Sequence, residues 1–386
     1  MSNVKVVIGA NFGDEGKGLM TNYFCSEAIK RNENCVVVLC NGGAQRGHTV
    51  VTPEGVRHVF HHFGSGTLIG ADTYLSQDYI LNPMAFRREY EELEAMGFIP
   101  KVYAHPLCMW STPYDMIVNQ ILEDSRGDER HGSCGMGIWE TILRYQTIKD
   151  KRKSLRGFNH LSSDYRIEWL QSLRDTYIKD RLSMSKLSVF GKWVDIIHSD
   201  HLINNFIDDV EFMCNHITWI GQGVLKNYQN VVFENGQGLM LDQNNTAYGN
   251  NVTPSNTGIK NPHKIISTTL PNASVEVCYV TRTYLTRHGA GKFDEECNKS
   301  EINELMEDKT NVPNPYQGSI RYGKLDVDAL LYRIMNDMGS INRHNYHMSL
   351  SITHVNEYEN EELLTKAKTE KTYLSYNETG CQYYNK

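Results

Sequence analysis

Residues 4–18 read Val4-Lys-Val-Val-Ile8-Gly-Ala-Asn-Phe-Gly13-Asp-Glu-Gly-Lys-Gly18, and this stretch decides the fold. A short apolar run ends in a glycine-rich turn, and a helical pattern follows from about Lys17 to Arg31. Glycines allow the backbone to turn so tightly that several N–H groups can face phosphate oxygens. The helix dipole and the charge of Lys17 add to that attraction. The stretch therefore predicts a strand, a phosphate-binding loop and a helix.

This loop differs from a Walker A loop. Asn11 stands at the position of its first glycine, and Gly18 stands where a serine or threonine would hold magnesium. The carboxylates of Asp14 and Glu15 would repel a phosphate unless one of them bound Mg²⁺ or a proton. The pattern indicates a phosphate-binding loop in which a carboxylate binds Mg²⁺ or a proton. The alternative is a plain strand-to-helix turn that carries surface acids.

Later apolar runs repeat the first one, at residues 35–40, 231–234, 275–280 and 348–353. Continuous apolar strands are typical of a parallel sheet covered on both faces, and ligands bind at the carboxyl ends of such strands. We therefore expect an α/β fold with a mostly parallel central sheet covered by helices, a P-loop-like nucleotide-binding fold with helical insertions. Residues 84–96 predict an amphipathic helix, and residues 151–215 predict a helical insertion. No linker-like composition divides residues 1–386, which favours one domain.

The composition argues against several classes of protein. There are 39 basic and 46 acidic side chains, a net charge of -7, which argues against general nucleic-acid binding. No stretch approaches the roughly 18 to 20 consecutive apolar residues of a membrane span. The nine cysteines form no CxxC pair, so neither a zinc ribbon nor a thioredoxin-like site is expected. The first residues show no signal-peptide pattern, so we expect a cytoplasmic protein with free thiols.

A second glycine-rich turn, Asn41-Gly-Gly-Ala-Gln-Arg-Gly47-His48-Thr49, follows the run at 35–40. If the strands before the two turns are neighbours, His48 and Asp14 face one another across a ligand. A histidine placed opposite a phosphate loop is suited to proton transfer or to charge stabilisation.

Together, Gly13-Asp-Glu-Gly-Lys-Gly18 and Gly47-His48-Thr49 resemble the adenylosuccinate synthetases, which join L-aspartate to a 6-oxopurine nucleotide with the help of a nucleoside triphosphate. Weaker motifs follow in the family's order along most of the chain: Gly132-Ser-Cys-Gly135, Phe233-Glu-Asn-Gly-Gln237-Gly238, Val252-Thr253, Ser255-Asn-Thr257, Thr286-Arg-His-Gly-Ala-Gly291 and Gly323-Lys-Leu-Asp326.

The resemblance implies roles for the first two motifs. Asp14 would take the N1 proton of the purine so that the 6-oxygen can attack the γ-phosphate, and with the carbonyl of Gly47 it would coordinate Mg²⁺. His48 would donate to the oxygen between the β- and γ-phosphates, and Lys17 would neutralise the transferred group. The implied triphosphate-binding set is Gly13, Asp14, Glu15, Gly16, Lys17, Gly18, Gly47, His48, Thr49, Thr353, His354 and Asn356.

The resemblance also implies a pocket for the purine monophosphate. Gln237 would hold the 6-oxygen, and Cys134 and Thr253 would bind the 5′-phosphate. In the family an arginine of the partner subunit closes this pocket, and Arg144 is the nearest match, so a homodimer is implied. The remaining members of the implied pocket are Asp14, Gln45, Ser133 and Ser319.

The chain departs from the family at the donor base. Family members read guanine with Thr-Lys-Leu-Asp, whereas this chain has Thr353-His354-Val355-Asn356. An asparagine in place of the aspartate removes the charged acceptor for the guanine N–H groups. This loss weakens guanine binding by roughly 1.5 to 3 kcal/mol. Because asparagine can pair with the donor–acceptor edge of adenine, we expect ATP or dATP as the phosphate donor.

The aspartate-binding loop departs as well. The family carries a run of arginines, but here Gly318-Ser319-Ile320-Arg321 leaves Arg321 alone to hold the carboxylate of aspartate. Gly318 or Ser319 replaces an arginine that faces the ribose in the family, which suits a 2′-deoxyribose. A salt-bridged surface role for Arg321 is the alternative. The chain is also short for the family.

These departures resemble a viral branch of the family that converts dGMP, L-aspartate and ATP or dATP to N6-succino-2-amino-2′-deoxyadenylate, a step towards 2-aminoadenine in DNA. A viral protein of this kind would work in the host cytoplasm. Retained Asp14 favours the first alternative, an enzyme that acts on IMP. The second alternative is a nucleotide-binding regulator without catalysis, and a P-loop kinase is a third.

Overall fold

The computed structural model describes residues 2–148, 154–306, 318–341, 345–367 and 369–384. Its centre is a ten-stranded sheet in the order β15-β14-β13-β9-β1-β8-β2-β5-β6-β7. Every pair of neighbours is parallel except β14 and β15. The strands of this sheet are β1 (Asn3–Gly9), β2 (Cys35–Leu39), β5 (Asp72–Leu75), β6 (Val102–Ala104), β7 (Ile217–Trp219), β8 (Asn230–Gly238), β9 (Ser274–Arg282), β13 (Tyr346–Thr353), β14 (Lys371–Asn377) and β15 (Gly380–Tyr384).

The strand order answers a question that the sequence left open. β1 and β2, which lead into the two glycine-rich turns, are not neighbours, because β8 pairs with both of them. The two turns still emerge at the same edge, since parallel strands place their carboxyl ends together.

Both faces of the sheet are buried, and alternate residues of β1 belong to different cores. Val4, Val6 and Ile8 belong to one cluster, whereas Val7 belongs to the other. Unbroken apolar runs such as Cys35–Leu39 are therefore buried on both sides, as a covered parallel sheet requires.

Helices cover the sheet, and two small sheets flank it. The helices are α1 (Lys17–Lys30), α2 (Pro83–Ala95), α3 (Pro113–Arg126), α4 (Ile138–Thr147), α5 (Leu155–Asn159), α6 (Ser163–Ser172), α7 (Lys179–Met184), α8 (Trp193–Ile197), α9 (Asp200–His216), α10 (Lys260–Thr269), α11 (Lys299–Asn303), α12 (Val327–Gly339) and α13 (Glu361–Lys366). The small sheets pair β3 (His48–Val51) with β4 (Arg57–Phe60), and β10 (Leu285–Arg287) and β11 (Glu296–Cys297) with β12 (Arg321–Gly323).

The segment predicted as a helical insertion contains α5 to α9, with a π-helical stretch at Leu173–Ile178. Phe158, Leu170 and Phe206 of this segment pack into the same core as Trp110. Residues 151–153 of the predicted insertion lie outside the described residues. Among the helices of the described ranges, none is long and apolar enough to cross a membrane.

Candidate active site

A cavity of about 380 Å³ opens at the carboxyl ends of β1 and β13. We call it the donor cleft. The predicted residues that line it are Gly13, Asp14, Gly16, Lys17, Gly18, Gly47, His48, Thr49, Thr353, His354 and Asn356. The structure thus brings the phosphate loop, the second glycine-rich turn and the end of β13 around one space.

The two loop carboxylates face different ways. Asp14 lines the donor cleft, whereas Glu15 is buried under the loop, where its Oε1 accepts the N–H of Gly13 at 2.8 Å. The Nζ of Lys17 lies 3.8 Å from Oε2 of Glu15 and donates to the carbonyl of Gly13. Burial raises the pKa of Glu15, and Lys17 counteracts this. Among the side chains predicted to contact the triphosphate, that of Glu15 instead supports the loop, so the expected repulsion is reduced to that of Asp14.

Thr353 also supports the loop. Its hydroxyl donates to the carbonyl of Glu15 at 2.8 Å. Gly16 has a φ of 93°, and a Cβ there would lie 3.1 Å from the Cγ2 of Thr353. Glycine is therefore required at this position both by the backbone conformation and by the close approach of β13.

His48 is held by a buried carboxylate. Its Nδ1 lies 2.6 Å from Oε1 of Glu234, and Oε2 of Glu234 lies 2.9 Å from Nη2 of Arg46. Ser65 donates its N–H and its hydroxyl to the same carboxylate. Burial opposes the ionisation of Glu234, but Arg46, His48 and Ser65 outweigh it and lower its pKa to about 2.

The protonation of His48 follows from these contacts. Burial and the charge of Arg46 lower its pKa to about 3, although Glu234 opposes this shift. The neutral ring donates from Nδ1 to Glu234, which leaves Nε2 for the ligand side because His48 lines the donor cleft. The arrangement fixes the tautomer and the orientation of a ring that lines the same cleft as Lys17 and Asp14.

Two glutamine side chains converge beside the second turn. A Cβ on Gly42 would lie 2.6 Å from Nε2 of Gln45 and 3.2 Å from Oε1 of Gln237. Both amide atoms of Gln45 and Oε1 of Gln237 are buried without a hydrogen-bond partner in the described residues. Gln237 has a φ of 55°, an uncommon conformation for a non-glycine residue that is enriched at active sites. Buried amides without partners suit a polar ligand such as a purine edge.

Two loops that carry predicted monophosphate contacts meet a third loop, at 286–291. Gly132 packs against Gly289, where an added Cβ would lie 2.7 Å from the Cα of Gly289. The amide of Asn251 donates to the carbonyl of His131 at 3.3 Å. The loops at 131–135, 251–257 and 286–291, which include Ser133, Cys134 and Thr253, are thus adjacent. The hydroxyl of Ser133 contacts Asn119.

The structure places Arg144 in contacts within its own chain. It is buried, and its Nε lies 2.9 Å from Oδ1 of Asp115, while Nη2 donates to Oδ2 of Asp115 and to the carbonyl of Trp110. Its guanidinium also stacks near the rings of Trp110 and Tyr145. A side chain held in this way joins α3 to α4, and it would have to leave Asp115 to reach a nucleotide in a partner subunit, so that role stays a prediction.

The aspartate-binding candidates lie outside the donor cleft. Arg321 donates from Nε and Nη2 to Glu296 at 2.7 and 2.5 Å, and from Nη1 to the carbonyl of Gly291 at 2.9 Å. Gly318 and Ser319 are in the loop before β12. The salt-bridged alternative for Arg321 is the arrangement present here, so a substrate carboxylate would have to compete with Glu296.

Sequence reasoning missed several residues of the donor cleft. Arg282 donates from Nε to the carbonyl of Asp14 and from Nη1 to the hydroxyl of Tyr284 at 3.0 Å. That hydroxyl donates to Glu357 at 2.5 Å. The hairpin of β14 and β15 contributes residues 375–378 to the far end of the cleft. Arg282 follows an apolar run at its carboxyl end, and this position could have identified it from the sequence as a residue near the ligand.

Comparison with known proteins assigns the chain to one family. The profile of the adenylosuccinate synthetase family matches residues 6–350. Adenylosuccinate synthetase of Trichodesmium erythraeum (strain IMS101) is 27% identical over 317 residues, which cover 80% of this chain and 67% of the relative. That of Prochlorococcus marinus (strain MIT 9313) is 30% identical over 321 residues, with 80% and 67% covered. The chain spans about two thirds of the length of these curated relatives.

Two solved structures share the fold. Fully ligated adenylosuccinate synthetase from Plasmodium falciparum has a TM-score of 0.69 and 20% identity, with 92% of this chain and 77% of that chain covered. Succinoaminodeoxyadenylate synthetase of cyanophage S-2L, bound to dGMP and to dATP as an energy donor, has a TM-score of 0.65 and 13% identity, with 99% and 95% covered. Since the family profile covers most of the chain, the protein belongs to the adenylosuccinate synthetase family, a family of ligases that form C–N bonds.

Proposed function

We propose that the protein joins L-aspartate to C6 of a purine nucleoside monophosphate and consumes a nucleoside triphosphate through a 6-phosphoryl intermediate. The observation that carries the proposal is the convergence of Asp14, Lys17 and the Glu234-held His48 on one cleft. The unpartnered amides of Gln45 and Gln237 support a purine site beside it. A protein that only bound a phosphate would need neither the acid nor the oriented imidazole.

The proposed chemistry has two steps. Asp14 takes the N1 proton, the purine O6 forms a bond to the γ-phosphorus, and the bond from that phosphorus to the β–γ bridging oxygen breaks. Lys17 stabilises the charge that develops on the released diphosphate and on the phosphoryl group, and His48 does so from Nε2 when it carries a second proton, which Glu234 stabilises. The amine of aspartate then attacks C6, loses a proton and displaces inorganic phosphate.

The residues present fit Mg²⁺. Among the described residues no group of three histidine, cysteine or acidic side chains could hold a metal ion. A single carboxylate, Asp14, together with the carbonyl of Gly47 suits Mg²⁺, which keeps several waters and binds substrate phosphates. When bound, Mg²⁺ neutralises phosphate charge.

For the donor we propose ATP or dATP. Asn356 and His354 line the donor cleft, and an asparagine can pair with adenine but lacks the carboxylate that guanine favours. The cyanophage S-2L enzyme, which has the same fold, is described with dATP as its energy donor.

For the acceptor we propose dGMP, which yields N6-succino-2-amino-2′-deoxyadenylate for viral DNA. Gly318 and Ser319 supply no long side chain for a ribose, and the cyanophage S-2L enzyme is described with bound dGMP. Asp14 lines the cleft and favours the alternative acceptor, IMP, because a carboxylate at the purine N1 is what the IMP enzymes use and the 2-amino group of guanine would need space beside it. We also propose a homodimer; light scattering during gel filtration tests the oligomeric state.

The deciding experiment supplies the purified protein with L-aspartate and Mg²⁺, offers dGMP and IMP in parallel with ATP, dATP and GTP, and follows phosphate release and the mass of the product. Succino-product from dGMP with an adenine donor supports the proposal, whereas product from IMP alone supports the alternative. No aspartate-dependent turnover with either acceptor would contradict the ligase and favour the regulator.

The substitution Asn356→Asp tests whether Asn356 determines the preference for an adenine base in the phosphate donor. We expect the ratio of kcat/KM for GTP to that for ATP to rise at least about tenfold, because a carboxylate restores a charge-assisted acceptor worth roughly 1.5 to 3 kcal/mol. Asn32→Asp, on the exposed turn after α1, is the matched control and should leave the ratio unchanged. An unchanged ratio in Asn356→Asp would contradict the role of Asn356.

A further inference from the structure

Arg46 is a buried cation behind the donor cleft. Its side chain is only 1% exposed, and it is absent from the residues that line the cleft. Its Nη2 lies 2.9 Å from Oε2 of Glu234, a residue that is itself fully buried. No hydrogen-bond partner with good geometry engages the guanidinium nitrogens within the described residues.

Stability alone is a weak reason for this arrangement. Removing a guanidinium from water costs several kcal/mol, and replacing a buried ion pair with apolar residues is often neutral or stabilising. The directed contacts of Glu234 suggest a different reason. Its Oε2 faces Arg46 and the N–H of Ser65, whereas its Oε1 faces His48 and the hydroxyl of Ser65.

We propose that Arg46 is a positioning residue that fixes the rotation of the Glu234 carboxylate. In this rotation Oε1 of Glu234 binds Nδ1 of His48, and Nε2 of His48 is directed towards the phosphate donor. The inference rests on the proposed function, since His48 matters only if phosphoryl transfer occurs. Arg46 does not line the donor cleft, so its effect would pass through Glu234. Arg46 therefore contacts Glu234, and Glu234 contacts the histidine that acts on the phosphate.

The first test is Arg46→Met, which keeps much of the volume and removes the charge. We expect kcat to fall about 10- to 100-fold, the range typical of residues that orient an active group from behind. The KM for aspartate should stay unchanged, because the aspartate-binding candidates lie elsewhere. A folded Arg46→Met with the kcat of the original protein would overturn the proposal. Arg88→Met, at an exposed position of α2, is the matched control.

A spectroscopic readout separates this inference from the proposed function. The Nδ1 proton of His48, donated to Glu234, should give a protected downfield proton resonance that disappears or broadens in Arg46→Met. Absence of turnover in the original protein would remove the proposed function yet leave this measurement valid. An unchanged resonance in Arg46→Met would overturn the positioning role.

If Arg46→Met fails to fold, Arg46→Lys decides the question. A lysine keeps a cation near Oε2, so the resonance should persist and kcat should stay within about tenfold. A folded Arg46→Lys that lacks the resonance would overturn the proposal.

Discussion

At the scale of single residues, the charge of Glu234 is expected to control what His48 can do. A ring that donates from Nδ1 to a carboxylate can also donate from Nε2 only as an imidazolium, and that carboxylate stabilises the second proton. We predict that Glu234→Gln lowers kcat about 10- to 100-fold with a smaller change in the KM for the donor. Steady-state kinetics provide the measurement.

The control for this substitution is Glu33→Gln, at a partly exposed position before β2, which should leave kcat unchanged. Thermal unfolding is followed in parallel, because Arg46 loses its charged partner in Glu234→Gln. A well-folded Glu234→Gln with undiminished kcat would show that the charge behind His48 is dispensable.

At the scale of elements, Arg144 joins two helices. It extends from α4 to Asp115. Asp115 is also the third residue of α3 and forms a capping box with Thr112 at the start of that helix. We predict that Arg144→Ala lowers the free energy of unfolding by about 3 to 5 kcal/mol, because it leaves a buried carboxylate without its partner. Urea titration measures this change, and the kcat of the folded variant should remain within about twofold of the original.

Lys30→Ala is the control for this prediction, because Lys30 is 69% exposed and its pair with Glu27 is worth little. A different result would favour the role that the sequence suggested. If Arg144→Ala kept its stability but lost affinity for the monophosphate, Arg144 would belong to the substrate pocket after all.

At the scale of the whole molecule, Glu276 of β9 links three strands on one side of the sheet. It accepts from Lys5 of β1 at 2.7 Å and from Lys371 and the hydroxyl of Tyr373 of β14 at 2.9 and 2.7 Å, and β13 lies between β9 and β14. Burial opposes ionisation, but these partners outweigh it and lower the pKa of Glu276 from 4.5 to about 2. Because the pKa is lower in the folded state, the ionised carboxylate stabilises the folded protein at pH values above the unfolded pKa of about 4.5.

We therefore predict that the original protein is more stable than Glu276→Gln by at most about 3 kcal/mol near neutral pH. This difference should shrink as the pH falls from about 4.5 towards about 2, where the folded carboxylate takes up its proton. Urea titrations at a series of pH values measure it. Glu362→Gln, at an exposed pair with Lys366, should show no such dependence, and a pH-independent difference for Glu276→Gln would contradict the prediction.

The fold class and the local units of the donor cleft could be predicted from the amino-acid sequence. Unbroken apolar runs such as Cys35–Leu39 identify covered parallel strands, and glycines at fixed offsets identify the phosphate loop, because both signals are local. The site residues remain predictions, yet most of those expected at the triphosphate do line one cleft.

The tertiary structure alone decided the order of strands and the partners of charged side chains. It placed β8 between β1 and β2, turned Glu15 under the loop, and paired Arg144 with Asp115. Contacts such as that of His48 with Glu234 join residues 186 positions apart. No local pattern encodes them, because a charged side chain takes whichever partner the packed sheet and helices bring within reach.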